Sequence, residues 1–261
     1  ELVVSLTGAI QGNADIAIGN VIGSNIFNAL FILGITAVIL PVSMTDQNRK
    51  RDIPVTIAVS VILVLFGMSK SLFGIGGADV LSRLEGIGFL ILFGAYLFFC
   101  FKYDSKEQTD MSGQKQMKLP FAILAVVAGL AGLIFGGELF VDSATDLARR
   151  LGVSDKFIAI TILAGGTSLP ELATCIVAAA KHKDQLALGN ILGSNVFNIL
   201  LILGCSAVIT PLSFGGMSLV DVGILIVSSM ILLLWAYSGK KCRIDRWEGA
   251  VMLLLFAAYY S

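Results

Sequence analysis

Hydrophobic residues run along this chain in long blocks separated by short polar stretches. Apolar blocks lie near residues 16–40, 53–70, 82–101, 119–138, 155–180, 186–210, 217–238 and 247–260, and residues 1–11 read as the tail of a further one. Crossing about 30 Å of hydrocarbon takes about 20 apolar residues, so these blocks predict membrane spans. Inside lipid every backbone N–H and C=O must be bonded within the segment, which leaves helices as the consistent choice. The pattern predicts an all-α, polytopic membrane protein. The longest polar stretch, 102–118 (KYDSKEQTDMSGQKQMK), divides it into halves 1–101 and 119–261.

The polar residues inside the blocks recur. Glu171 sits in an apolar run just after Gly165, Gly166 and Pro170. A carboxylate at the bilayer centre costs roughly 2.5–3.5 kcal/mol or more, which marks it as functional by default. Shifted by 170 positions, Glu1–Ser43 lies on Glu171–Ser213 without a gap, and 20 of the 43 positions are identical. Among the identities are Glu1/Glu171, Asn20/Asn190, Ser24/Ser194, Asn25/Asn195, Asn28/Asn198 and Pro41/Pro211, together with glycines 19/189, 23/193 and 34/204. The chain is an internal duplication. Residue 1 matches the middle of the second copy's motif, so about a helix and a half is expected to be missing ahead of it. A weaker pair, Arg83-Leu84-Glu85-Gly86 and Arg246-Trp247-Glu248-Gly249, is either homologous or two ordinary interfacial helix starts.

Composition agrees with the blocks. The chain is 56% hydrophobic and only 14% charged, against about 25% charged in soluble domains. Zero net charge gives no basic surface for nucleic acid, and no obligate protein partner is evident. Cys100, Cys175, Cys205 and Cys242 have no CxxC spacing and read as buried thiols. The single histidine, His182, falls in a KHKD loop and reads as solvated. With no Ser/His or paired-Asp arrangement, an enzyme is not indicated.

Lysine and arginine give orientation. Thirteen of the 18 fall on one side (Arg49, Lys50, Arg51, Lys102, Lys106, Lys115, Lys118, Lys181, Lys183, Lys240, Lys241, Arg243, Arg246) and five on the other. The first side is expected to be cytoplasmic, with the 102–118 loop, and the C-terminus outside. Matched loops then differ: Gln11–Asp15 has no basic residue and Lys181–Gln185 has two. Homologous loops on opposite sides make an inverted-topology repeat, an arrangement of secondary transporters whose sites lie near the midplane.

Gly165, Gly166 and Pro170 predict a broken helix, with carbonyls near Ala164–Thr167 released toward a cavity and Glu171 at the start of the second half. Ser194 and Asn198 share a helix face at i, i+4, as do Ser24 and Asn28. The repeated glycines are expected to let helices approach closely. Two carboxylates, hydroxyls, amide oxygens and main-chain carbonyls form a hard oxygen set, suited to Ca²⁺, Mg²⁺ or alkali ions; flexible carbonyl-rich geometry favours Ca²⁺ over Mg²⁺. Glu138, Asp142 and Asp146 read as the polar face of a helix end, or as a vestibule that attracts cations. Asp52, Asp79 and Asp221 read as interfacial helix ends.

AGGTSLPE followed by GNILGSNVFN resembles the alpha-repeat of the sodium/calcium exchanger family, in the calcium/cation antiporter superfamily, and the bacterial inner-membrane calcium/sodium antiporters above all. The resemblance covers essentially the whole chain. It implies ten helices in an inverted five-plus-five repeat, alternating access, and exchange of Ca²⁺ for Na⁺ with no cofactor. It implies that Glu1 and Glu171 are the acidic pair shared by both ions, that Ser24, Asn28, Ser194 and Asn198 complete the ring, and that Thr167, Ser168 and the Ala164 carbonyl line Na⁺ sites. Many relatives carry Asp at one of the positions held here by Asn28 and Asn198, a departure that bears on potassium dependence, stoichiometry and Na⁺ coupling. A cation/proton exchanger, in which protonation of the two glutamates replaces Na⁺, and a cation channel are the alternatives.

Overall fold

The computed structural model of the chain describes residues 1–74, 78–104, 119–152, 164–238 and 242–259. Its main helices are α1 (Leu2–Ile10), α2 (Ala14–Ile39), α3 (Ile53–Gly67), α4 (Arg83–Asp104), α5 (Leu119–Arg150), α6 (Leu169–Ala180), α7 (Asp184–Ile209), α8 (Leu219–Ser238) and α9 (Arg246–Tyr259). Of these, α2, α4, α5, α7 and α8 are long and apolar enough to cross a membrane. Most of the 102–118 loop and the beginning of the 155–180 block lie outside the described residues. The block expected near 119–138 continues as one helix to Arg150, because nothing between Gly137 and Arg150 interrupts it with proline or a turn.

The duplication is visible element by element. Helices α2 and α7 begin and end 170 positions apart, at Ala14/Asp184 and Ile39/Ile209. Each carries a wide π turn, at Phe27–Ile32 and Asn198–Leu203, a local irregularity frequent at functional sites. Each stops at the residue before a proline. Leu40 has φ −140° and ψ 125°, and Thr210 has φ −141° and ψ 127°. The ring of the following proline clashes with a helical residue before it and drives the chain into extended conformation.

Those extended exits pair across the duplication. Strand β1 (Val42–Ser43) runs antiparallel to β4 (Arg243–Ile244), and β2 (Val80–Leu81) to β3 (Leu212–Ser213). These two-residue ladders were not expected from the sequence, and they satisfy backbone groups where helices end. The following helices cross over too. The first turn of α9 packs on the end of α2, and that of α4 on the end of α7. Arg246 donates to the Ile39 carbonyl at 3.4 Å, and Arg83 to the Ile209 carbonyl at 3.2 Å. Glu248 accepts from the Asp245 N–H and Glu85 from the Ser82 N–H, both at 2.7 Å. The two Arg-x-Glu-Gly motifs therefore do the same work in the two copies.

Close approach falls on only some of the glycines. A Cβ at Gly34 would lie 3.1 Å from the Gly249 carbonyl, and one at Gly86 2.9 Å from the Gly204 carbonyl. By contrast, among the described residues a Cβ at Gly23, Gly189 or Gly193 would meet nothing within 4 Å, and one at Gly19 only the Met217 methyl. Those glycines do not mediate helix contact as expected; Gly189 and Gly193 border a cavity instead.

The core is the α2–α7 pair, on which Ile18, Ile22, Ile26, Leu188 and Ile191 are fully buried. Helix α5 has none of its apolar window buried and lies at the periphery. The four cysteines are free thiols, but only Cys175 is buried; Cys100, Cys205 and Cys242 are half-buried. His182, exposed as expected, adopts a left-handed φ of 54° in the turn between α6 and α7.

Candidate functional site

The site forms where α1 and α6 meet the middles of α2 and α7. Before α6 a short helical turn, Ala164–Gly166, is followed by a break at Thr167–Ser168. Ser168 leaves helical geometry at φ −100°, ψ 6°, and Pro170 occupies the first turn of α6, where a missing N–H costs nothing. This places Glu171 in the first turn of α6, as the sequence pattern anticipates. Ala164 opens the short turn on the far side of the break.

Glu1, Thr167, Glu171, Ser194 and Asn198 line one cavity of about 830 Å³, with Asn190 beside them and Phe93, Tyr96, Leu130 and Ile134 among its apolar wall. The Ser168 hydroxyl, itself fully buried, donates to Glu1 Oε1 at 2.8 Å. Ser24 Oγ lies 3.5 Å from Thr167 Oγ1, and Thr167 donates to Asn20 Oδ1 at 3.3 Å. Asn28 is fully buried and lines neither this cavity nor the adjoining one. Seven of the nine residues singled out from the sequence are thus tied by a shared cavity or a hydrogen bond; Asn28 and Ala164 are not among them.

Among the described residues, two buried oxygens in this region have no donor: Glu171 Oε2 and Asn28 Oδ1. Buried acceptors are nearly always satisfied in folded proteins, so each of these oxygens has room for a donor, a water or a cation as its partner. Among the described residues no three His, Cys, Asp or Glu side chains converge to hold a metal; the donors here are two carboxylates with hydroxyl and amide oxygens.

A second layer of asparagines supports the first. Asn20 donates to the Glu1 carbonyl at 3.3 Å and to Ser5 Oγ at 3.0 Å; its repeat counterpart Asn190 donates to the Glu171 carbonyl and to Cys175 Sγ, each at 3.5 Å. Asn28 donates to Asn195 Oδ1 at 3.1 Å, and Asn198 to Asn25 Oδ1 at 3.0 Å. Asn20, Asn25, Asn190 and Asn195 were given no role by the sequence, although their exact recurrence 170 positions apart was the available signal.

Glu138 and Asp142 line an adjoining cavity of about 650 Å³ that also reaches Glu1 and Thr167, while Asp146 is not among its lining residues. Asp52, Asp79 and Asp221 are engaged locally, with Asn48 and Arg51, with Ser71, and with Ser218 and Tyr259.

A family model described as sodium/calcium exchanger protein matches residues 1–102 and 121–261. The sodium/calcium exchanger MaX1 of Methanosarcina acetivorans is 33% identical over 293 residues, covering 99% of this chain and 83% of that protein. Inner membrane protein YrbG of Escherichia coli is 34% identical over 258 residues, covering 93% of this chain and 76% of that protein. The solved structure of the sodium-calcium exchanger NCX_Mj, soaked with Na⁺ and zero Ca²⁺, superposes with a TM-score of 0.80 at 32% identity, covering 98% of this chain and 80% of that one.

Proposed function

Since the chain belongs to the sodium/calcium exchanger family, an integral multi-pass membrane family of cation exchangers, we propose that it is a secondary active antiporter exchanging Ca²⁺ for Na⁺ by alternating access. Both ions compete for one site built on Glu1 and Glu171. Ser24, Asn28, Ser194 and Asn198 complete the oxygen ring, and Thr167, Ser168 and the Ala164 carbonyl serve Na⁺.

The observation that carries this reading is Glu171 Oε2, buried and without a donor beside a cavity it shares with Glu1, Ser194 and Asn198. A dehydrated cation supplies what that oxygen lacks, and two carboxylates balance one divalent ion. Competition then provides the coupling: one pair of carboxylates cannot hold both loads at once, and the site crosses poorly when empty. Helix α5, peripheral and facing the cavity through Leu130 and Ile134, is the element that slides over the fixed α2–α7 core. Glu138 and Asp142 form its acidic approach. The halves are 1–101 and 119–261. The protein sits in the bacterial inner membrane with 102–118 cytoplasmic and the C-terminus outside, as the distribution of Lys and Arg supports.

The experiment is radioactive Ca²⁺ uptake into Na⁺-loaded proteoliposomes diluted into Na⁺-free buffer. Uptake that collapses when the Na⁺ gradient is removed is the expected result. Uptake driven by a pH gradient and indifferent to Na⁺ would replace this reading with cation/proton exchange, in which a proton meets Glu171 Oε2 instead.

A further inference from the structure

Four asparagines from the two copies, one of them Asn198 of the cavity wall, are joined in a crossed arrangement, and all four are buried to within 2%. Asn25 donates to the main-chain carbonyl of Asn195 at 3.1 Å, and Asn195 donates to that of Asn25 at 3.5 Å. A carbonyl can only accept, so these bonds fix which end of each amide is nitrogen. The remaining end, Oδ1, must then face the other copy's site asparagine. Asn195 Oδ1 meets Asn28 Nδ2, and Asn25 Oδ1 meets Asn198 Nδ2.

Orientation is thereby passed outward from two backbone carbonyls. Because Asn28 must present Nδ2 to Asn195, its Oδ1 points the other way, and it is the buried oxygen left without a donor. Asn198, a residue of the cavity wall, is bound by the same logic through Asn25. The arrangement also specifies side-chain type. An aspartate at 28 or 198 would place a carboxylate oxygen against an amide oxygen, two acceptors in contact in a buried setting. Turning Asn25 or Asn195 over to offer a donor would break its bond to the carbonyl.

We propose that Asn25 and Asn195 are positioning residues of the ion site: each sets the amide orientation of the site asparagine on the opposite copy, and together they hold positions 28 and 198 as amides, restricting the site to two carboxylates. The proposal rests on the site assignment above for its effect on ions, and on the hydrogen-bond geometry alone for its effect on the protein.

The test is a set of double-mutant cycles with Asn198→Asp and Asn28→Asp, each combined with Asn25→Ser or Asn195→Ser. Serine supplies a hydroxyl that can donate to a carboxylate where the asparagine could not. Two readouts are taken on purified protein: the thermal midpoint without ions, and the Ca²⁺ dissociation constant. Asn198→Asp should lower the ion-free midpoint, and Asn25→Ser should restore at least half of that loss. Asn195→Ser should do the same for Asn28→Asp, and the uncrossed pairs should couple less strongly than the crossed ones. Asn25→Ser alone should weaken Ca²⁺ binding by about tenfold by releasing Asn198. Equal coupling in crossed and uncrossed pairs, or an Asn198→Asp protein with an unchanged midpoint, overturns the proposal. Should one aspartate variant fail to fold, the mirror cycle decides by the same criterion. Crossed coupling in the ion-free midpoint with no Ca²⁺ binding by the unsubstituted protein would leave the positioning intact and overturn the ion assignment instead.

Discussion

Replacing Gly249 with alanine should loosen the docking of α9 on α2. A Cβ at that position would lie 2.7 Å from the Gly34 carbonyl oxygen, 2.9 Å from Ala37 Cβ and 3.1 Å from Val38 N. Ordinary contact begins at 3.4 Å, so the nearest atom must retreat by 3.4 − 2.7 = 0.7 Å. Two of the three obstructing atoms are backbone, and no side-chain rotation relieves them. Overpacking of this kind costs about 1–3 kcal/mol, against which alanine gains up to about 1 kcal/mol of helix propensity over glycine. The net loss is up to about 2 kcal/mol, or up to about 8 °C in the midpoint of a domain this size. Tryptophan fluorescence during heating in detergent at one fixed scan rate is a suitable assay, because Trp247 lies in the same helical turn, 6.4 Å from Trp235 between ring centroids. Gly86→Ala, whose Cβ would lie 2.9 Å from both the Gly204 carbonyl and Ala207 Cβ, should behave alike. Gly88→Ala, with nothing within 4 Å, should be neutral or stabilising. If Gly249→Ala and Gly88→Ala melt together, the close backbone contact does not bear on stability.

Three further outcomes are expected. Glu171→Gln should abolish Na⁺-dependent Ca²⁺ uptake while leaving the melting profile close to that of the parent; near-normal flux would remove Glu171 from the site. Ser168→Ala takes away the hydroxyl bound to Glu1 Oε1, and loss of a hydrogen bond to a charged group should weaken apparent Ca²⁺ affinity about tenfold or more; a flux assay across Ca²⁺ concentrations that gives an unchanged half-saturation point would refute it. At the helix ends, the Ser71 hydroxyl and N–H hold the Asp79 carboxyl below its ordinary value. A depressed carboxylate stabilises the turn above the unfolded value and loses that contribution as pH falls through the folded one, so hydrogen exchange at the Ser71 amide, corrected for its intrinsic rate, should rise below about pH 4; constant protection down to pH 3 would show that the bond does not hold the turn.

The helices and the duplication were legible because both depend on local pattern. Apolar blocks report lipid exposure directly, and Pro41 and Pro211 end α2 and α7 by steric rules that act on the adjacent residue. Glu1, Glu171, Ser24 and Ser194 stood out because polar groups in apolar sequence are costly and these recur. What the sequence did not disclose is pairing between distant elements. Val42–Ser43 has no feature that names Arg243–Ile244 as its partner. The glycines illustrate the same limit: Gly23 and Gly34 look alike in sequence, yet only Gly34 faces another backbone. Asn25 and Asn195 were visible as identities, but their task depends on which amide end meets which carbonyl across the two copies, and spacing along one helix carries no such information.

The crossed docking also shapes how such a chain can be made. The end of α2 is capped by Arg246, 207 residues later, and β1 waits for β4. A nascent chain leaving the ribosome therefore inserts α2 long before its proper neighbours exist, and the native contacts at the α2 terminus close only when α9 has been synthesised. Long-range closure of this kind slows assembly and leaves intermediates exposed. Chains stopped before Arg243 should accumulate as inserted but unlatched species, open to proteases at the segments after Pro41, because the partners of the α2 terminus and of β1 are then absent.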